Sequence, residues 1–274
     1  MITADATIIT NTNLTGDLWQ AVLKVAEIPE MVVPGQYVHL QLKQRPEHML
    51  RRPFSVHKVL VTDDEPDQLV ITYQTVGQLT GHLAGLKPGE TVNLLGPLGQ
   101  GWRLPVRIKR ALFVGGGVGW AALAMAAGSL SAFSVETHLL VGARNADYLE
   151  ALSIGINDRS YPLNLYGSES EVGSSFIHLA TDDGSTGHHG MNTELLDDLL
   201  DAYEFDYIAT CGPEPMQRIV AMKAISLGIS CEVSLERRMA CGLGSCLSCT
   251  VATHKGNQKV CSDGPVFDAG EIIW

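Results

Sequence analysis

The sequence predicts a multidomain chain of α+β and α/β class. An antiparallel β-barrel spans residues 1–108, a parallel α/β nucleotide-binding domain spans 109–229, and a small cysteine-bearing segment spans 230–274. Three observations carry this reading. Short apolar runs between turn signals fill the N-terminal part. Apolar runs and helical stretches then alternate. From Ser230 onward the helical period disappears, and cysteine and glycine dominate.

In the first part, WQAVLKVA, QYVHLQL, LVITYQTV and ETVNLLG read as strands, and Pro34-Gly35, Pro88-Gly89 and Gly96-Pro97 mark turns. Short strands at this spacing suit an antiparallel barrel or sandwich. After Lys109, ALFVGGGVG is a buried strand running into glycines, followed by the helical GWAALAMAAGSL. THLLVGA is a second strand, with a helix starting at Asn145. PLNLYGSE and FDYIATCGP are the third and fourth strands, and PEPMQRIVAMKAISLG is a helix. Such alternation gives a parallel sheet with crossover helices.

The formal net charge of −11 argues against a nucleic-acid partner, because phosphate binding needs a basic face. The longest apolar stretch, Trp120 to Ala127, is too short to span a bilayer, so no membrane association is expected. The polar N-terminus, MITADATIITNTNLTG, lacks the basic start and apolar core of a signal peptide. A cytoplasmic, reducing location is therefore expected. There, the six cysteines serve metal or redox chemistry and not disulfides.

Four of them form a pattern. Cys241, Cys246, Cys249 and Cys261 are separated by four, two and eleven residues, the plant-type spacing of a [2Fe–2S] cluster. A tight loop must wrap one small cluster. Gly242 and Gly244 permit the left-handed turns this needs and leave N–H groups free for the sulfurs. A zinc ribbon would use two C-x-x-C pairs, and only one is present. Cys231 reads as a small buried hydrophobe. Cys211, in TCGPEPM between a strand and a helix, stands where parallel sheets place ligands.

Two further sets of residues suggest nucleotide-type ligands. Arg52, Pro53, Phe54 and Ser55 follow one strand and precede another. The proline implies an edge, and Arg52 offers a phosphate fork. Downstream, Thr72, Tyr73, Gln74, Gly77 and Thr80 lead through a turn into a helix, where a pyrophosphate can be cradled. Gly115, Gly116, Gly117 and Gly119 follow a buried strand and open a helix, as a dinucleotide requires. The pattern departs from G-x-G-x-x-G, since Trp120 stands in the last position. Arg144 stands where an acidic ribose ligand would be expected.

Taken in order, these features resemble a ferredoxin–NADP reductase-type module with an appended iron–sulfur segment. Within that superfamily the chain is similar to the electron-transfer subunits of NAD-dependent (type B) dihydroorotate dehydrogenases. LLGPLGQGW (94–102), TDDGSTGHHG (181–190), CEVSLERRMACGLGSCLSC (231–249) and VCSDGPVF (260–267) carry the likeness. The resemblance implies that Arg52–Ser55 and Thr72–Gln74 contact FAD. The Gly-Thr pair that meets the flavin's pyrophosphate aligns with Leu79 and Thr80, with leucine in place of glycine. Gly115 to Gly119 and the turn at Cys211 and Gly212 would face NAD as substrate. TDDGS is expected to be a solvated loop.

The resemblance also implies a partner subunit that holds FMN and oxidises dihydroorotate in pyrimidine biosynthesis, assembled as a heterotetramer of two of each. Electrons would pass through the [2Fe–2S] cluster to FAD and then to NAD⁺. No acid or base is required for that last step, so no catalytic residue is assigned. Related modules serve hydrogenases, sulfide dehydrogenases and transhydrogenases; VSLERRMACG favours the dihydroorotate system. A redox sensor without flavin is the alternative of another class, and RPFS and GGGVG argue against it.

Overall fold

The structure, a computed structural model, describes residues 1–45, 47, 49–62, 65–132, 135–153 and 175–274. The chain divides into two compact units. One comprises Met1–Gly101 with Glu236–Val266, and the other Trp102–Leu235 with Phe267–Trp274. The segment from 230 onward, expected as a third domain, is thus shared between them. A stretch of about forty residues is too short to bury a core of its own, so it is built into larger ones.

The first unit carries seven strands: β1 (Ile2–Thr15), β2 (Leu18–Lys24), β3 (Tyr37–Gln41), β4 (Arg52–Ser55), β5 (Lys58–Thr62), β6 (Glu65–Gln74) and β7 (Thr91–Leu98). The helices α1 (Ile28–Met31) and α2 (Gln78–Ala84) lie in their connections. The strand order is β4-β3-β7-β1-β2-β6-β5, and the neighbours are antiparallel. Ile8, Leu18, Leu23, Leu40, Ile71 and Leu94 are fully buried and form the core. Phe54 of β4 and Tyr73 of β6 pack edge to face with ring centroids 5.8 Å apart. Strands distant in the order therefore meet, and the sheet curls as the expected barrel requires.

The second unit is a parallel sheet of β8 (Arg110–Gly116), β9 (Glu136–Ala143), β10 (Ser175–Thr181), β11 (His188–His189), β12 (Tyr207–Cys211) and β13 (Ser230–Ser234), with α3 (Trp120–Ala132), α4 (Ala146–Ser153), α5 (Leu196–Ala202) and α6 (Glu214–Ser226). The order is β11-β10-β9-β8-β12-β13, ending in the strand Val266–Asp268. Every residue of β12 and the central five of β8 are buried, which explains their unbroken apolar runs. From β8 the chain builds outward through β9 and β10, then returns to the other side as β12. The order reverses between β8 and β12, and a ligand crevice belongs outside their C-terminal ends. The strand expected at PLNLYGSE lies outside the described residues. Among the described residues, no helix is long and apolar enough to cross a membrane.

The cysteine segment contributes a loop and a hairpin, β14 (Thr250–Thr253) with β15 (Gly256–Lys259), to the first unit. It is fastened to the barrel by hydrogen bonds. Tyr37 Oη donates to the Cys261 carbonyl at 3.0 Å, and the Gln100 N–H donates to the Gly264 carbonyl at 2.6 Å.

Candidate redox and nucleotide sites

The cysteine loop turns through left-handed residues at Gly242 (φ 71°), Gly244 (φ 77°) and Leu247 (φ 61°). Such turns aim backbone N–H groups inward. The Leu243 N–H points at Cys241 Sγ (3.3 Å), that of Gly244 at Cys261 Sγ (3.2 Å), and that of Cys261 at Cys249 Sγ (3.4 Å). The thiols neighbour one another in two pairs, Cys241 with Cys246 and Cys249 with Cys261. Among the described residues, no group of three or more His, Cys, Asp or Glu side chains is placed to hold a metal ion. Two thiol pairs ringed by N–H donors fit a two-iron cluster with two thiolates per iron.

The two pairs differ in environment. Cys246 is exposed and Cys241 half-buried, whereas Cys249 and Cys261 are buried. The hydroxyl and N–H of Ser248 beside Cys246 lower its thiol to about 6, and burial raises that of Cys261 to about 11. The buried pair lies on the barrel side, through the Tyr37–Cys261 hydrogen bond.

β3 connects this loop to the expected flavin residues. It pairs with β4, placing Tyr37 opposite Ser55 and His39 opposite Pro53. β4 is a sheet edge, which accommodates Pro53. The adjacent arginines separate in function. Arg51 is turned inward, donating to the carbonyls of His39 (3.2 Å) and Asn93 (3.1 Å) and to the Asn93 side chain. Arg52 is exposed, and among the described residues its guanidinium donates to the carbonyls of Leu50 and Arg51 alone, which suits it to a phosphate.

On β6, Thr72 is buried with its hydroxyl 2.7 Å from His57 Nδ1. Tyr73 donates to Asn11 Oδ1 at 2.9 Å, and burial pushes its phenol well above the usual range. Gln74 donates to Asp17 Oδ2 at 3.2 Å. All three side chains are thus engaged by the barrel. The β5 register stops at Val70, so the backbone edge of Thr72–Gln74 extends past it.

Leu79 is buried, 5% exposed, while the Thr80 hydroxyl accepts the N–H groups of Val76 and Gly77 at 3.1 Å each. The threonine fixes the turn before α2, and position 79 takes a side chain without requiring a left-handed backbone.

In the second unit, the glycine loop and the Cys211-Gly212 turn meet backbone to backbone. Cys211 pairs with Gly115 across the parallel ladder. A Cβ at Gly119 would fall 2.6 Å from the Cys211 carbonyl oxygen, and one at Gly212 would fall 2.9 Å from Gly116 Cα. Glycine at these positions lets the two turns close at the β8/β12 reversal, where a dinucleotide is expected. Cys211 itself is buried.

Sequence reasoning missed Asn192, whose buried amide donates to the Gly115 carbonyl at 3.0 Å and braces the loop. It also left TDDGS without a role. The loop is exposed, as expected, yet ordered by hydrogen bonds: Asp183 accepts from Ser185, whose hydroxyl accepts the Ala146 N–H at the start of α4 (2.7 Å). Arg144 stacks over the Tyr148 ring at 4.5 Å.

Comparison with known proteins agrees with both units. The model of the iron–sulfur cluster binding domain of dihydroorotate dehydrogenase B matches residues 236–273, and that of the oxidoreductase FAD-binding domain matches residues 5–102. The chain is 34% identical to the dihydroorotate dehydrogenase B (NAD(+)) electron transfer subunit of Desulforamulus reducens, over 90% of this chain and 89% of that one. It is 33% identical to the subunit of the same description from Shouchella clausii, over 97% and 96%. Among solved structures, an NADH-dependent reduced ferredoxin-NADP oxidoreductase superposes with a TM-score of 0.81 at 28% identity, covering 98% of this chain and 90% of that one. A ferredoxin NADP+ reductase from Neisseria gonorrhoeae with bound FAD and NADP shares the fold at a TM-score of 0.62 and 17% identity, over 82% and 92%.

Proposed function

The chain belongs to the family of electron transfer subunits of dihydroorotate dehydrogenase B, and from that premise we propose how its residues serve the relay. It is the oxidoreductase subunit that links dihydroorotate oxidation on a catalytic partner to NAD⁺, with a [2Fe–2S] cluster and FAD as carriers. When bound, the cluster carries single electrons and the flavin converts them into a hydride for NAD⁺. We further propose that the partner holds FMN, that two copies of each subunit assemble, and that the complex works in the cytoplasm.

Cys241, Cys246, Cys249 and Cys261 hold the cluster, and the N–H groups of Leu243, Gly244 and Cys261 stabilise charge on its sulfurs. Arg52 binds a flavin phosphate, Pro53, Phe54 and Ser55 line the flavin together with the strand edge at Thr72, Tyr73 and Gln74, and Leu79 and Thr80 shape the pyrophosphate turn. Gly115, Gly116, Gly117, Gly119, Cys211 and Gly212 form the bed of the nicotinamide nucleotide. The more exposed pair, Cys241 and Cys246, faces the partner.

The observation that carries this assignment is that the cluster loop is built onto β3, whose ladder neighbour β4 holds the flavin residues. Both carriers then rest on one compact unit and keep a fixed separation. The test is co-expression with an FMN-binding dihydroorotate-oxidising subunit. The co-purified complex should reduce NAD⁺ with dihydroorotate, while the partner alone should not. A complex that forms with full cofactor content but leaves NAD⁺ unreduced would overturn the assignment.

A further inference from the structure

Among the described residues, one buried side chain beside the cluster loop has no hydrogen-bond partner. His39 lies in the middle of β3, is fully buried, and has no hydrogen-bond partner at Nδ1 or Nε2 among the described residues. A neutral imidazole carries one N–H donor and one acceptor, and buried polar groups in folded proteins are almost always paired. The ring faces the cysteine loop: a Cβ at Gly242 would lie 2.6 Å from both Cε1 and Nδ1 of His39. Gly242 directly follows Cys241.

The neighbouring polar groups are committed elsewhere. The Tyr37 hydroxyl serves the Cys261 carbonyl, and the Arg51 guanidinium serves the His39 carbonyl and Asn93.

We propose that His39 donates its ring N–H to a sulfur of the cluster held beside Gly242, and so raises the cluster's reduction potential. This rests on the reading of Cys241, Cys246, Cys249 and Cys261 as its ligands. Reduction adds one negative charge to the cluster. An N–H aimed at sulfur stabilises that charge more in the reduced state than in the oxidised one. His39 is a tuning residue here and takes no part in bond making.

The experiment uses the full-length holoprotein with FAD and cluster bound, labelled with ¹⁵N-histidine and reduced with dithionite. Pulsed EPR of the reduced cluster should show a weak ¹⁵N coupling that disappears in His39→Gln. A cluster signal without histidine coupling overturns the role of His39 alone. No [2Fe–2S] signal in a folded, iron-reconstituted chain overturns the ligand reading as well. In EPR-monitored redox titrations, His39→Leu should shift the one-electron equilibrium about tenfold against reduction, ~59 mV. His39→Gln, which keeps an N–H, should recover most of that shift. Equal potentials for wild type and His39→Leu contradict the proposal. If His39→Leu does not assemble a cluster, the isotope experiment on the wild type decides by itself.

Discussion

The hydroxyl of Tyr37, the first residue of β3, donates to the carbonyl oxygen of Cys261, the last of the four spaced cysteines, at 3.0 Å. Residues far apart in sequence are joined where both are buried. The bond attaches the inner pair of cysteines to the strand that runs beside Arg52–Ser55. Tyr37→Phe should leave that carbonyl unpaired, at a cost of about 1–3 kcal/mol. The expected result is faster loss of iron to a chelator with FAD content unchanged, read by iron and flavin analysis over time.

The two arginines should separate cleanly on substitution. Arg52→Ala removes an exposed fork that donates to the nearby carbonyls of Leu50 and Arg51, so the fold should persist while FAD binds roughly 10- to 100-fold more weakly, as expected for the loss of a charge-assisted bond. Arg51→Ala removes the donors to His39 and Asn93 and should lower the melting temperature. Titration of the apoprotein with FAD and thermal melts check both.

Gly119→Ala should act on the nucleotide and not on the flavin. Its methyl group would meet the Cys211 carbonyl at 2.6 Å and force the two turns apart, a strain of about 1–3 kcal/mol. KM for NADH should rise with an artificial acceptor, while flavin and iron contents stay normal.

Acid should destabilise the chain before its carboxylates are titrated. Burial holds both His57 and His178 at about 4, with Lys58 also lowering His57 and His138 lowering His178, against the ordinary imidazole value of 6.5. Between these values the unfolded chain binds protons that the folded chain does not, so stability is full above pH ~6.5 and falls as pH drops toward ~4. Melting temperatures from pH 7.5 to 4.5 should show this slope, and His57→Gln should flatten it.

Much of this architecture was legible in local pattern. The unbroken apolar runs at Ala111–Val114 and Tyr207–Cys211 announced central parallel strands, because both faces are covered. The cysteine spacing pointed to the segment that the iron–sulfur domain model matches, because wrapping a small cluster dictates spacing. What stayed hidden depended on long-range contact. Nothing local marks Asn192 as the brace of Gly115, and an inward histidine in QYVHLQL reads as core until Gly242 is seen against it. The cysteine segment could not be read as part of the barrel unit, since the bonds from Tyr37 and Gln100 come from residues remote in sequence.

The central claim is that electrons pass between NAD and the cluster only through the flavin. Anaerobic addition of NADH to the holoprotein, followed by low-temperature EPR, tests it most directly. The account predicts a reduced [2Fe–2S] signal in the flavin-loaded chain and none after FAD is stripped with the cluster intact. A cluster that NADH reduces equally well without FAD, or leaves oxidised in the fully loaded chain even though its potential lies within reach, would contradict it.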